Sequence, residues 1–391
     1  MKILMTLETP FPPDKRVENE IDALSSAGYS VHIICYRKAD EAIYEHLDNV
    51  KIHRIEPGKI VHKSSVGALR FPLYFNYWKR EIKKVLIKER IDIVHVHDLP
   101  LIKPVLDLKQ KFGFKIVLDL HENWPGLLEM SLHTRTPLGK LLCNIEEWKI
   151  YERKFIPEAD GVIVVVEEAL ERIRHYITDS QVYGIVSNTI NLKEFKQLNL
   201  SEKKAGEKII FIYEGGITYH RGLHNVIRAL NGIRRDADWE FVVVGSGSYL
   251  PHLKELTKSL GLSEKVIFTG WQPLDKIYKM LSNATVALIP HLKSDHTDNT
   301  IPHKLFHYIY SGLPVIASDC NPLSRIIEET GSGIIYRSSD IEQLTEILST
   351  IADKPATVEK YTQSRQWIES KYNWSVDAEN IIKLYSRLNE K

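Results

Sequence analysis

Lys304 stands at the head of an amphipathic helix pattern inside the stretch TIPHKLFHYIYSGLPVIAS, which runs from Thr300 to Ser318. A polar, proline-marked loop enters this helix, and Gly312-Leu313-Pro314 then leads into an apolar run that reads as a strand. A lysine in the first turn of a helix suits an anion, because the first N–H groups are unpaired and the dipole end is positive. A second cation stands in a similar setting. Glu214-Gly215-Gly216-Ile217 ends a strand pattern, and Arg221-Gly222 opens the next helix. Glycines there allow close backbone approach to phosphate oxygens, and a guanidinium offers them a fixed fork of donors. Taken singly, each piece also reads as a surface charge beside an ordinary turn. Both settings suit an anion.

Other chemistry-bearing residues gather at strand ends. His95-Val96-His97-Asp98 closes one strand and Asp119-Leu120-His121-Glu122 the next. His95 and His97 share a face by the period of two, but no third metal ligand is evident. Gly245-Ser246-Gly247-Ser248 and Gly270-Trp271-Gln272 follow further strands. Pro10 to Arg16 reads as a stiff loop opening a helix, with Asp14 as its cap.

The elements that must position these groups alternate between strand and helix. Strand patterns cover 2–7, 31–36, 91–97, 115–120 and 161–166, with a helix over 16–28. A second series begins near residue 208, with strands over 209–213, 240–244, 265–269, 285–289 and 314–317, and helices over 222–232 and 304–310. Such alternation implies parallel, doubly wound α/β sheets. The break falls in Asn188–Glu207, where Asn191–Lys208 is polar and lysine-rich. An amphipathic helix pattern over 373–388 ends the chain.

With 391 residues, 43% hydrophobic and 26% charged, the chain is expected to form a globular protein of more than one domain. A net charge of +1 argues against a nucleic-acid partner. Cys35, Cys143 and Cys320 lie far apart and read as reduced thiols. The strand-like start MKILMTL lacks the form of a signal peptide, and no apolar run reaches the ~18 residues of a spanning helix, so a cytoplasmic location is expected. Leu69–Arg90 interleaves aromatic and basic residues. It reads either as a core-facing helix with a solvated basic face or as a segment lying on an anionic membrane surface.

The stretch Pro302-His303-Lys304-Leu305-Phe306-His307-Tyr308, together with Arg221-Gly222, Gly245-Ser246-Gly247 and Asp119-Leu120-His121-Glu122, resembles the family 4 retaining glycosyltransferases. That resemblance spans about residues 1–390 with its motifs in order. It implies the GT-B fold: two Rossmann-like, doubly wound domains facing across a cleft. An acceptor-binding domain would occupy 1–190, joined by the last helix (about 373–391), and a donor-binding domain 191–372. The implied activity is metal-independent transfer of a hexosyl group from a nucleoside diphosphate sugar to a carbohydrate or lipid-linked acceptor, with no other cofactor. Bacterial cell-surface polysaccharide or lipid-linked glycan assembly is the implied setting.

The resemblance assigns the donor to Gly215, Gly216, Arg221, Gly245, Gly270, Trp271, Gln272, Asn299, Thr300, Pro302, His303, Lys304, Leu305 and His307. It assigns the acceptor to Pro13, Arg16, Asp98 and His121. His121, Arg221 and Lys304 are the expected catalytic residues, acting by position and charge. This chain departs from many relatives at Gly216 (arginine there), at Asn299 and His307 (glutamates there), and at Cys320-Asn321 (Gly-Gly there). A glutamate at 307 normally accepts from ribose hydroxyls, so His307→Glu is expected to tighten donor binding. These departures keep a catalytically silent nucleotide-sugar-binding scaffold open as an alternative. A GT-B sugar-nucleotide epimerase is a further one.

Overall fold

The structure is a computed structural model that describes residues 1–197, 208–234 and 236–390. Most of the lysine-rich break at 191–208 lies outside the described residues. Two compact units form, one from Met1–Asn188 with Ser375–Lys391, the other from Thr189–Trp374.

The first unit is built on an eight-stranded sheet. Its strands are β1 (Lys2–Pro10), β2 (Ser30–Tyr36), β3 (Tyr44–Leu47), β4 (Val50–Ile55), β5 (Ile93–His97), β6 (Lys115–Leu120), β7 (Gly161–Val164) and β8 (Val182–Ile185). They lie in the order β3-β4-β2-β1-β5-β6-β7-β8, all parallel except for the antiparallel pair β3/β4. Every residue of β5 is buried, as expected of a strand covered on both faces. The helix Lys15–Ser26 is capped by Asp14, whose carboxylate accepts from Val17 N–H, and it buries Val17, Ile21 and Leu24 against the sheet. The pair β3/β4 was not legible in the sequence. Its strands are short and charged, and Arg54 is buried there by pairing with Glu41 and Glu45.

Of the aromatic residues in the helix Leu73–Lys88, Tyr74, Phe75 and Trp78 are buried, so that side is core-facing. Phe71, just before it, is exposed. From Ser375 on, the C-terminal helix Trp374–Glu390 belongs to this unit. Ile381, Leu384, Tyr385 and Leu388 are buried, and Asn380 and Asp377 bond the backbone of Ile185 and Ser187.

The second unit has β9 (Ile209–Glu214), β10 (Trp239–Val244), β11 (Val266–Gly270), β12 (Val286–Ile289), β13 (Val315–Ser318) and β14 (Gly333–Tyr336). All are parallel, in the order β11-β10-β9-β12-β13-β14. Phe211, Trp239, Phe241, Val226, Leu230 and Leu344 belong to one apolar core of this unit. The order reverses between β9 and β12 here, and between β1 and β5 in the first unit. Open α/β sheets bind ligands beyond the carboxyl ends of the strands at such reversals. Lys304, Arg221, Asp98 and Glu8 all stand near those ends. Among the described residues no helix is long and apolar enough to cross a membrane, and the three cysteines are free and buried.

Candidate functional site

In the second unit the short helix Lys304–Tyr310 docks against the end of β9, with all of its residues buried. Tyr308 Oη accepts from the Glu214 N–H at 2.8 Å. The ammonium of Lys304 lies 3.7 Å from the centroid of the Tyr213 ring and has no hydrogen-bond partner among the described residues. Gly215, at φ +119°, makes room for it: a Cβ there would stand 2.9 Å from Lys304 Nζ. Burial, then the neighbouring Arg221, pushes this ammonium well below the usual lysine pKa, against the pull of Glu214.

Arg221 Nη1 donates to His291 Nε2 at 3.1 Å. Burial, with Arg221 and Lys304 nearby, holds His291 neutral, well below its ordinary value. Gly222 seats the arginine against the end of β12, since a Cβ at its φ of +70° would lie 1.8 Å from the Pro290 oxygen. The site thus has two neighbouring cations, one buried and unpaired, at the reversal of strand order. Nearby Glu214 is bonded by His307 Nδ1 at 2.7 Å. Such a pair attracts an anion that bears several negative oxygens.

In the first unit, Asp119 at the end of β6 is the hub of a buried cluster. Arg16 Nη2 donates to both of its oxygens at 2.9 and 3.0 Å, and Arg16 Nη1 to the Val186 oxygen at 2.8 Å. Glu20 lies 3.0 Å from Arg16 Nε. His121 Nε2 is 2.9 Å from Asp119 Oδ2 and 3.1 Å from His97 Nδ1. His95 Nδ1 meets Tyr385 Oη at 2.7 Å, while its Nε2 faces Asp119 at 3.4 Å. Burial pulls the His121 imidazole down, but Asp119 and Asp98 more than offset this and raise it to about 9. It is therefore an imidazolium at neutral pH. Asp98 N–H donates to the Asp119 oxygen, and its carboxylate accepts from His121 N–H, at the cost of a positive φ of 62°.

The family described as "Glycosyltransferase Family 4" matches residues 15–194, and "Glycosyl transferases group 1" matches 195–374. The chain is a family 4 glycosyltransferase.

An uncharacterized glycosyltransferase of Methanocaldococcus jannaschii is 23% identical to this glycosyltransferase over 362 residues, which is 88% of this chain and 86% of that one. Among solved structures, a sucrose-phosphate synthase from Thermosynechococcus elongatus matches with a TM-score of 0.78 at 18% identity, covering 100% of this chain and 99% of that one. The Anabaena protein HepE, solved in complex with UDP, matches at 0.67 and 14%, covering 99% and 100%. These likenesses give the glycosyltransferase the GT-B fold.

Several expected roles change on contact with the geometry. The helix-opening N–H groups are not all free: Leu305 N–H donates to Pro302 O and Phe306 N–H to His303 O. The anion-seeking group is the lysine side chain. Leu305 is fully buried in the core, and Asn299 turns its amide back to Asp295 O at 2.6 Å. His303 Nε2 donates to Thr189 O at 3.1 Å. Thr300 is extended, and Pro302 lends its oxygen to the helix start. Gly245 N–H bonds Gly270 O, and Gly215 N–H bonds Val244 O, so these loops are laced to one another. The Trp271 ring is exposed, and Gln272 bonds its own strand at Thr269 O. Gly216 is exposed, with open space where a Cβ would point. Cys320 is fully buried, so its thiol does not face a ligand. In the first unit Pro13 is exposed. Arg16 is held by Asp119, Glu20 and Val186, and so positions the cluster instead of reaching for an acceptor.

Sequence reasoning passed over Glu214 as a site residue, and its bond with His307 changes what is expected of a substitution at position 307. A glutamate there would put two carboxylates within hydrogen-bonding distance. His307→Glu is therefore expected to weaken donor binding and to lower stability, by roughly 1–3 kcal/mol for a lost bond and a crowded like charge. His307→Gln, which can still donate to Glu214, should be milder. Thermal melts and nucleotide titration of both variants check this; tighter binding by His307→Glu would refute it. The pairing had one signal, a carboxylate directly before Gly215-Gly216 at a strand end. Metal-type ligands were likewise undercounted: Glu20, His95, His97 and Asp119 bring their ligand atoms within 4.8 Å of one another.

Proposed function

We propose that this enzyme is a retaining, metal-independent glycosyltransferase that moves a sugar from a nucleoside diphosphate sugar to a hydroxyl acceptor. The observation that carries this reading is the Lys304–Arg221 pair at the ends of β9 and β12. Leaving-group diphosphate gains negative charge as the glycosidic bond breaks, and two fixed cations in a dry site stabilise that charge as a divalent ion would. UDP bound to the Anabaena relative supports a uridine nucleotide as the first donor to test. The donor set of the first unit supports metal independence, since both Asp119 and Glu20 already face the Arg16 guanidinium. An added divalent ion there would meet a fixed positive charge.

The acceptor belongs with the first unit, beside His121 and Asp98. His121 would donate to the transferred sugar, and the departing phosphate oxygen would take the acceptor proton, which leaves the protein to position and neutralise. Surface polysaccharide or lipid-linked glycan assembly is the proposed setting. Exposed Phe71 and Leu73 next to Arg70 support contact with an anionic membrane.

Calorimetric titration with uridine, guanosine, thymidine and adenosine diphosphate sugars, without metal and then with magnesium, tests the reading. One base should bind, unaffected by magnesium. Arg221→Ala should raise the transfer barrier by about 2–4 kcal/mol, as for loss of an oxyanion donor. No binding to any donor, or normal turnover by Arg221→Ala, would refute the proposed role.

A further inference from the structure

The first unit contains a cavity of about 360 Å³ at the strand reversal, between the ends of β1 and β5. That is the size of an ordinary small-molecule pocket. Its walls include Trp124, Trp148, Leu127, Leu128, Ala68 and Val66, from several separate elements. The polar groups are few. Glu8 ends a chain in which Tyr36 Oη lies 2.6 Å from Tyr74 Oη, and Tyr74 donates to the carboxyl. His97, 2% exposed, also lines the cavity, and its Nε2 has no partner among the described residues.

His121 Nε2, 3.1 Å from His97 Nδ1, has a nearer acceptor for its one hydrogen in Asp119 Oδ2 at 2.9 Å. His97 Nε2 is left unsatisfied whichever ring nitrogen holds the hydrogen, and a ligand hydroxyl can donate to it or accept from it. Glu8 offers a second polar group. Burial pushes its carboxyl up, Tyr74 pulls it down and Asp98 raises it again, to about 7. An ionised Glu8 accepts. A hydroxyl is the small group that can accept from one neighbour and donate to another. Buried donors and acceptors left without partners cost stability until a ligand meets them.

We propose that this cavity holds the apolar portion of an amphiphilic acceptor, an alkyl or aryl alcohol or glycoside, and that His97 Nε2 and Glu8 grip one of its hydroxyls beside His121. This deepens the glycosyltransferase reading and rests on it. Glu8 is here a specificity-determining residue for the acceptor.

The probe is n-octyl β-D-glucoside kept below its micellar concentration, compared with methyl β-D-glucoside. It is titrated into the full chain without donor and read by tryptophan fluorescence, since Trp124 and Trp148 form the wall. The octyl glycoside should bind about 10–100-fold tighter, a fraction of what full burial of the chain would give. Leu127→Trp, a filling change at a half-buried position, should abolish that preference while UDP binding persists. Glu8→Gln should weaken the octyl glycoside about tenfold, with an unchanged melting curve as the check on folding. Equal affinity for the two glycosides overturns the proposal, as does an octyl preference that survives Leu127→Trp. If Leu127→Trp does not fold, Glu8→Gln decides, and undiminished binding overturns it. A UDP titration run in parallel separates the two readings. UDP binding without the octyl preference removes this inference alone. The preference without any nucleotide binding removes the transferase reading, and the acceptor assignment with it.

Discussion

Lys304→Met is expected to make the enzyme more resistant to heat and almost inactive. The ammonium is buried over the Tyr213 ring with no hydrogen-bond partner among the described residues, while Arg221 repels it. Replacing a poorly compensated buried charge by an apolar side chain of similar length is often stabilising, by about 1–4 kcal/mol. Methionine also keeps a favourable sulfur contact with the ring. The pH dependence identifies the cause. A lysine whose folded pKa is lowered makes the unfolded chain bind more protons, so wild-type stability rises with pH until the unfolded lysine also loses its charge near 10.4. The melting advantage of Lys304→Met should therefore be largest at low pH and fade towards alkaline pH. Transfer should fall by about 10²–10³-fold if Lys304 meets the growing charge of the leaving group. A variant that is more stable yet turns over normally would show that Lys304 is a structural burden unconnected with catalysis. A less stable one would show that the ring contact outweighs desolvation.

The same site shows what a sequence carries and what it leaves to the fold. Lys304 and Arg221 were legible because each stands at a junction of strand, glycine and helix, where local rules fix the backbone. Strands β1, β2, β5, β6, β7 and β9 to β13 were legible for the same reason, as apolar runs between turn residues, while the four-residue β8 and β14 were not. The pairing of Glu214 with His307 was not legible. It joins residues far apart in sequence, and neither has a local reason to seek the other. Glu8 was missed similarly, since its partners Tyr74 and Tyr36 come from a helix and another strand. The β3/β4 pair escaped because its charged residues mimic a loop until Arg54 finds its two glutamates. Arg16 was found but misjudged: a helix-opening arginine looks like a ligand group until its carboxyl partners, Asp119 and Glu20, appear around it.

Those partners give the second large effect. Asp119→Ala is expected to destabilise the first unit by about 3–5 kcal/mol, because it takes the two-oxygen partner from the buried Arg16 guanidinium and leaves it only Glu20, 3.0 Å from Nε. Arg16→Met combined with Asp119→Leu should recover much of that loss, which separates a stranded charge from lost packing. The cluster also sets a pH window. Burial acts against the Asp119 carboxylate, but Arg16 and His121 hold it well below its usual range. Its contribution is thus present above the unfolded aspartate value and is lost only as pH falls through the depressed one. His121 works in the opposite sense. With a folded pKa of about 9 against an ordinary 6.5, its stabilisation is full below 6.5 and is lost as pH rises through about 9. Glu20, raised to about 8 by burial and Asp119 against the pull of Arg16, adds loss in the same alkaline direction, so the His121 share is read as the difference from His121→Gln. Transfer should likewise decline as pH passes 9 if the imidazolium is the form that donates to the sugar. In Asp119→Ala the His121 resonance should titrate well below 9, and the alkaline loss of stability should shrink with it. A His121 titration left near 9 by Asp119→Ala would mean that Asp98 alone holds the proton, and the hub would have to be reassigned to the strained residue at the end of β5.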